Sequence, residues 1–352
     1  AIWRGCGGRY LEGPHLYRIN GFYYLMAAEG GTEYGHMEVI ARSNSPYGPF
    51  ETPPTDSPDA NPFLTNRNLG GYPLQGTGHA DLVQDLDGNW WAVLLAFRQI
   101  GQYLAFHHLG REVCLVPVHF TEDGWLRAGT DGTVRLTMTG PLSSEPIKQE
   151  MMKRLTFSNT SPGMEWVYLR NPFSENYRFL PGDSLQLRGT SVSLDNPDLS
   201  PTFLGLRQSE FTGQLQVHLH STTGEAGISI YQNETHHYEL ALLQKDGKSW
   251  LIKRRTIGDM QYIQKKCILP DQTFDLMLSI RMDSENYYFQ AEISSSAYGA
   301  ETDYDFGSAE SRYLSSEVAG GFTGVMLGLY AVNTKEQFAT FSNFSYEMEY
   351  KE

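Results

Sequence analysis

The sequence predicts an all-β chain. Short apolar or alternating runs recur in pairs around Asn-Gly and Asp-Gly dipeptides. Glycine is abundant, at 35 of 352 residues, and no segment sustains a helical period bounded by caps. Asn-Gly and Asp-Gly tolerate the positive φ that a tight hairpin demands. In chain order, runs 15–19 and 22–26 flank Asn20-Gly21, and runs 81–84 and 90–94 flank Asp87-Gly88. The second pair follows a long glycine-rich loop, 65–78. Run 112–118 then leads to Asp123-Gly124-Trp125, and further on 239–243 and 250–252 flank Asp246-Gly247.

The composition shifts between Pro141 and Pro162, where segments 142–146 and 158–163 are polar and proline-bearing, as linkers are. The expected domains are therefore 1–148 and 149–352. Downstream, closely spaced short strands suit a two-sheet sandwich. Upstream, the hairpins suit blades of a β-propeller. Roughly 145 residues make two or three four-stranded blades at about 45 residues each, fewer than the four or so a closed ring needs. The upstream domain is thus expected to be a partial propeller.

Charged residues are 19% and aromatics 13% of the chain, which marks an ordered globular protein. The net charge of −14 repels phosphate backbones, so nucleic acid is not an expected partner. No apolar run approaches the length of a membrane span. The three cysteines, Cys6, Cys114 and Cys267, form no Cys-x-x-Cys pair, which argues against zinc and thioredoxin-like chemistry. All three are expected to be buried small apolar residues. The opening residues 1–5 read as the middle of a strand, so polypeptide is expected upstream of them.

Glu12 stands alone among aromatic, glycine and imidazole neighbours, in Arg9-Tyr10-Leu11-Glu12-Gly13-Pro14-His15-Leu16-Tyr17. It either serves a strand-end hydrogen-bond network, pairing with Arg9, or acts as a general acid whose carboxyl His15 and Tyr17 hold. His79, in Gly76-Thr77-Gly78-His79-Ala80-Asp81, is either a structural histidine or one that faces the site or a metal. Asp81 is expected to support the fold. Arg111 either pairs with a carboxylate or donates two parallel bonds to sugar hydroxyls. His107 and His108 precede it and, as strand neighbours, are not expected to share one metal. Of Trp90 and Trp91, one enters the core and the other offers a face for sugar stacking. The expected sugar-facing residues are Arg111, His79, Trp91 and His108. No nucleophile elbow, Walker loop or dinucleotide fingerprint occurs in a fitting context.

These motifs resemble glycoside hydrolase family 43. The resemblance rests on Glu12-Gly13-Pro14-His15-Leu16-Tyr17, Ala28-Glu29-Gly30-Gly31-Thr32, Ala41-Arg42-Ser43, Gly76 to Val83, Gly88-Asn89-Trp90-Trp91 and Gly110-Arg111-Glu112. It implies the later blades of a five-bladed propeller. Downstream, Ser200 to Gly205, Gln208, Glu225 to Ile228, His237-Tyr238 and Gly324 to Tyr330 resemble the concanavalin A-like β-sandwich of β-xylosidase and arabinofuranosidase members. The resemblance implies an inverting, exo-acting glycosidase that cleaves xylosyl residues from xylo-oligosaccharides. An α-L-arabinofuranosidase or a non-catalytic carbohydrate-binding fragment are the alternatives. Glu12 matches the general acid, Arg111 a sugar-binding arginine, and His79 a histidine linked in some members to a structural calcium ion. No other cofactor is implied. The family's aspartate base and its second, acid-tuning aspartate lie before the Glu-Gly-Pro-His motif. Missing N-terminal blades, on the same protein or a companion chain, are therefore an expected partner.

Overall fold

The computed structural model describes residues 1–141, 152–155, 157, 163–269, 275–294, 301–334 and 337–349. The chain divides into two compact units, Ala1–Ile147 and Lys148–Glu352. The linker segments 142–146 and 158–162 lie outside the described residues. Among the described residues, helix is limited to 3₁₀ turns at Ser174–Asn176 and Ser311–Leu314 and one α-turn at Ser316–Ala319.

The first unit holds two antiparallel meanders. Strands β1 (Glu12–Ile19), β2 (Phe22–Glu29) and β3 (Met37–Ser43) form a three-stranded sheet in that order. Strands β4 (Leu74–Gln84), β5 (Trp90–Arg98), β6 (Glu112–Phe120) and β7 (Leu126–Ala128) form a four-stranded one. The Asn20-Gly21 turn forms as expected. Both residues have positive φ, at 49° and 88°, and Ile19 pairs directly with Phe22. The edge strand β1 alternates between exposed and half-buried residues, whereas β3 is buried nearly throughout. Its core-filling Val39 and Ile40 suit a strand covered on both faces. One apolar cluster joins the two sheets, with Tyr24, Met26 and Ile40 meeting Leu82, Leu94 and Val116. Its burial is what fixes β1–β3 against β4–β7.

Two expectations are corrected here. The glycine-rich loop 65–78 ends early, because β4 already begins at Leu74. Register shifts between Gln75 and Gly78, and again between Gly78 and Asp81, let this glycine-rich strand bend while still pairing with β5. The cysteines are not all buried: Cys6 is exposed and Cys114 and Cys267 are partly exposed, all three as free thiols.

The second unit is a sandwich of two antiparallel sheets, one of eight strands and one of seven. A single large core lies between them, including Leu215, Val217, Ile228, Leu240, Phe289 and Phe341, all 0% exposed. Inward and outward residues alternate along each strand, as a sandwich requires. The Asp246-Gly247 turn, with φ of 53° and 73°, closes the hairpin between His236–Lys245 and Lys248–Ile257.

Candidate active site

Glu12 opens β1 opposite Ala28 and is exposed. A register shift separates it from His15, so it falls out of step with the alternation that follows. One expectation is corrected: His15 and Tyr17 hold Asp81, not Glu12. His15 Nδ1 lies 2.9 Å from Asp81 Oδ1, and the Tyr17 hydroxyl donates to the same oxygen at 3.1 Å. The Leu82 amide donates in turn to the Tyr17 hydroxyl at 2.9 Å. Asp81 therefore ties β1 to β4. Arg9 places its guanidinium 5.4 Å from the ring centre of Tyr10.

Gly13 follows, with φ of 56°. A Cβ at this position would stand 2.5 Å from His79 Nε2. Glycine is what lets the imidazole of β4 lie against the start of β1. His79 itself has φ of 57° and sits between the two register shifts of β4. Replacing Gly13 by alanine combines a left-handed backbone cost with this collision and is expected to destabilise by about 1–3 kcal/mol. Gly21→Ala is the control, since nothing lies within 4 Å of its Cβ position. It carries the backbone cost alone, about 1 kcal/mol. Urea denaturation of both variants checks the difference, and equal shifts would remove the steric role of Gly13.

The residue at the centre of this cluster is His36, which the sequence reading did not single out. It is 0% exposed, and its ring centre lies 6.3 Å from that of His79. His36 Nδ1 meets the Gly76 carbonyl at 2.9 Å and must donate to it, while Nε2 is buried with no hydrogen-bond partner. Burial lowers the His36 pKa, so the ring is neutral with its proton on Nδ1. Weaker electrostatic effects on the same ring come from His79 and Arg111, which lower its pKa, and from Glu12, which raises it. Glu12, His79 and Arg111 thus converge on one imidazole.

Glu38 was also not anticipated. It lies on β3 opposite Ala28, which is opposite Glu12, so the three form one row across the sheet. Two strand spacings put Glu38 about 10 Å from Glu12. Its carboxyl is 0% exposed, and Oε2 accepts from the Ala80 amide at 2.9 Å, next to His79. Oε1 has no hydrogen-bond partner. Burial pushes its pKa up to about 8, although backbone donors at Ala80 and His79 pull the other way. At neutral pH it is a protonated acid that clamps the bend of β4. The signal for His36 was present, since it follows Gly35 in a stretch with Gly30 and Gly31 much as His79 follows Gly78, whereas Glu38 stands within a strand run with no turn signal of its own.

Arg111 is half-buried and donates to the Thr32 carbonyl. Its guanidinium carbon lies 5.5 Å from the Phe97 ring centre. Phe97 stacks in turn on His107 at 3.8 Å and meets Tyr34 edge-on at 5.1 Å. The aromatic wall beneath Arg111 therefore uses His107. His108, expected to face the sugar, is 1% exposed and stacks against Phe106. His107 is 3% exposed, so neither imidazole presents an open face. Trp91 is corrected too. It is 5% exposed, and its indole N–H donates to Asp85 Oδ2 at 2.9 Å, so it presents no open face. Trp90 is the half-buried partner, set edge-on to Phe120.

Calcium bound at His79 does not fit the described residues. Among them no group of three or more His, Cys, Asp and Glu side chains is arranged to hold a metal. Beside His79 stand the His36 ring, Gly13 and the single carboxyl of Glu38, whereas calcium takes about six to eight oxygens.

A β-meander unit carrying an exposed carboxylate beside paired imidazoles and a guanidinium, followed by a two-sheet sandwich, defines a modular all-β protein. Residues 1–126 match the family model Glycosyl hydrolases family 43, and residues 154–347 match Beta xylosidase C-terminal Concanavalin A-like domain. The chain belongs to glycosyl hydrolase family 43. It is 39% identical over 334 residues to Non-reducing end alpha-L-arabinofuranosidase BoGH43B of Bacteroides ovatus, covering 93% of this chain and 60% of that protein. It is 31% identical over 358 residues to the Xylosidase/arabinosidase of Butyrivibrio fibrisolvens, covering 98% of this chain and 66% of that protein. The crystal structure of xylan beta-1,4-xylosidase from Bacillus halodurans C-125 superposes with a TM-score of 0.85 at 27% identity, over 99% of this chain and 67% of that one. The chain thus spans about 60–66% of the length of these two curated relatives.

Proposed function

We propose that these residues carry the acid side of an inverting, exo-acting glycosidase that releases xylosyl units from xylo-oligosaccharides. The observation that carries this is the packing of His79 against Gly13, the residue after Glu12, with the His36 ring 6.3 Å from that of His79. Glu12 transfers its proton to the glycosidic oxygen as the bond to the anomeric carbon breaks. A water molecule adds to that carbon from the opposite face and gives its own proton to a base. Arg111, backed by Phe97, donates to sugar hydroxyls, and His79 lines the floor beside Glu12.

An inverting site holds its two carboxyls roughly 6.5–9.5 Å apart with water between them. Glu38 is no base for that water, because burial seals its carboxyl from solvent and pushes its pKa up to about 8. We therefore assign the water-activating aspartate, and the propeller blades that would carry it, to polypeptide outside these 352 residues. The name of the Bacteroides ovatus relative favours a second reading, release of α-L-arabinofuranosyl units by the same acid. Assays with aryl β-xylosides and aryl α-L-arabinofuranosides decide between them. Activity is expected from a longer protein containing these residues and not from the 352-residue chain alone. Turnover by the short chain that survives Glu12→Gln would end the proposal.

A further inference from the structure

The seven-stranded sheet of the second unit has two different faces. Tyr238, Leu240, Ile228 and Leu329 point into the main core. Their strand neighbours point the other way and build a charged cluster. Arg254 donates from both Nη atoms to Glu225, at 2.8 and 2.7 Å, and the Tyr330 hydroxyl donates to Glu225 Oε1 at 2.6 Å. His237 Nδ1 bonds Glu239 Oε1. Burial works against the charge on Arg254, but the hydrogen bonds to Glu225 more than offset it and its pKa rises. Apart from Arg254, these residues are at most 9% exposed. They line a cavity of about 370 Å³.

Two features of this cavity point to a ligand. Glu239 Oε2 is buried without a hydrogen-bond partner, since its nearest cation, Arg254 Nη1, stands 3.8 Å away. That oxygen has an ion-pair partner in Arg254 but no hydrogen-bond donor, so a ligand hydroxyl reaching it completes its hydrogen bonding. The space is also more than ten times the ~30 Å³ of one water and matches small-ligand pockets. Its mouth opens between Asp195, which is exposed, and Tyr262, which is 47% exposed.

We propose that this cavity binds one or two residues of a neutral saccharide, at a site that shares no residue with the Glu12 cluster. Sugar hydroxyls donate to Glu239 and Asp195 and accept from Arg254, and the Tyr262 ring stacks on a sugar face at the rim. The lining carries three carboxylates, Asp195, Glu225 and Glu239, against the one guanidinium of Arg254, which disfavours anions. A metal ion is disfavoured because no group of three or more His, Cys, Asp and Glu among the described residues is arranged to hold one. This inference stands independently of the proposed hydrolysis.

The test is calorimetric titration of the 352-residue chain with xylobiose. Wild-type protein is expected to bind with millimolar Kd, and Arg111→Ala, which removes any sugar contact in the first unit, is expected to retain the part of that binding that Glu239 and Tyr262 carry. Glu239→Gln and Tyr262→Ala are each expected to weaken binding at least about tenfold. Tyr262→Ala lies on the rim and keeps the proposal testable if Glu239→Gln does not fold. No binding by wild-type protein overturns the inference. So does binding that Arg111→Ala removes and Tyr262→Ala leaves intact.

Discussion

Glu12→Gln is expected to lower kcat/KM on alkyl or sugar leaving groups by about 10²–10⁴ in a catalytically competent protein containing these residues. The amide has the size of the carboxyl but no proton to give. The loss should shrink with a dinitrophenolate leaving group, which departs without protonation. That dependence separates a proton donor from a residue that only shapes the pocket, for which every substrate would suffer alike. Glu12 is exposed and makes its strand pairing through the backbone, so the melting temperature should not move. A uniform loss across leaving groups would reassign Glu12 to substrate positioning.

The second large effect is on stability. Glu38 has an ordinary value of 4.5 and is raised to about 8 by burial in the folded chain. Between those values the folded state holds a proton that the unfolded state releases. Its contribution is therefore complete below about pH 4.5 and is lost as pH rises through about 8. The expected fall in unfolding free energy across that window is about 3–5 kcal/mol. Glu38→Gln stays neutral throughout and should remove this part of the slope. The many other carboxylates of a chain with net charge −14 also contribute, so the difference between the two proteins is the measurement. Parallel pH profiles from denaturant titrations would show that Glu38 is ionised in the folded state. Because Glu38 clamps the Ala80 amide beside His79, alkaline loosening should reach the site as well.

Local chemistry made much of this legible in advance. Asn20-Gly21 and Asp246-Gly247 turn where positive φ is cheapest, and the apolar runs beside them are strands. Glu12, His79 and Arg111 stand in short glycine-bearing motifs, and the charge of each is felt at the His36 ring. The misassignments share a cause. Trp90 and Trp91 are equivalent as sequence, and so are His107 and His108. Which tryptophan turns inward depends on the register of β5 and on the partner waiting there, Asp85 for Trp91, and both histidines are buried, His107 against Phe97 and His108 against Phe106. His15 and Tyr17 went to Asp81 because β4 brings that carboxylate against the middle of β1, a long-range pairing that the local run does not encode.

The sequence by itself determined that the chain is built of hairpins, where they turn, and which carboxylate and guanidinium stand in chemically distinctive surroundings. Those properties depend on residues within a few positions of one another. Only the tertiary structure brought in His36 and Glu38, as it did the buried Arg254–Glu225 network of the sandwich. Their pKa values and hydrogen bonds arise from burial against strands tens of residues away, and desolvation is a property of the packed molecule rather than of any local run of residues.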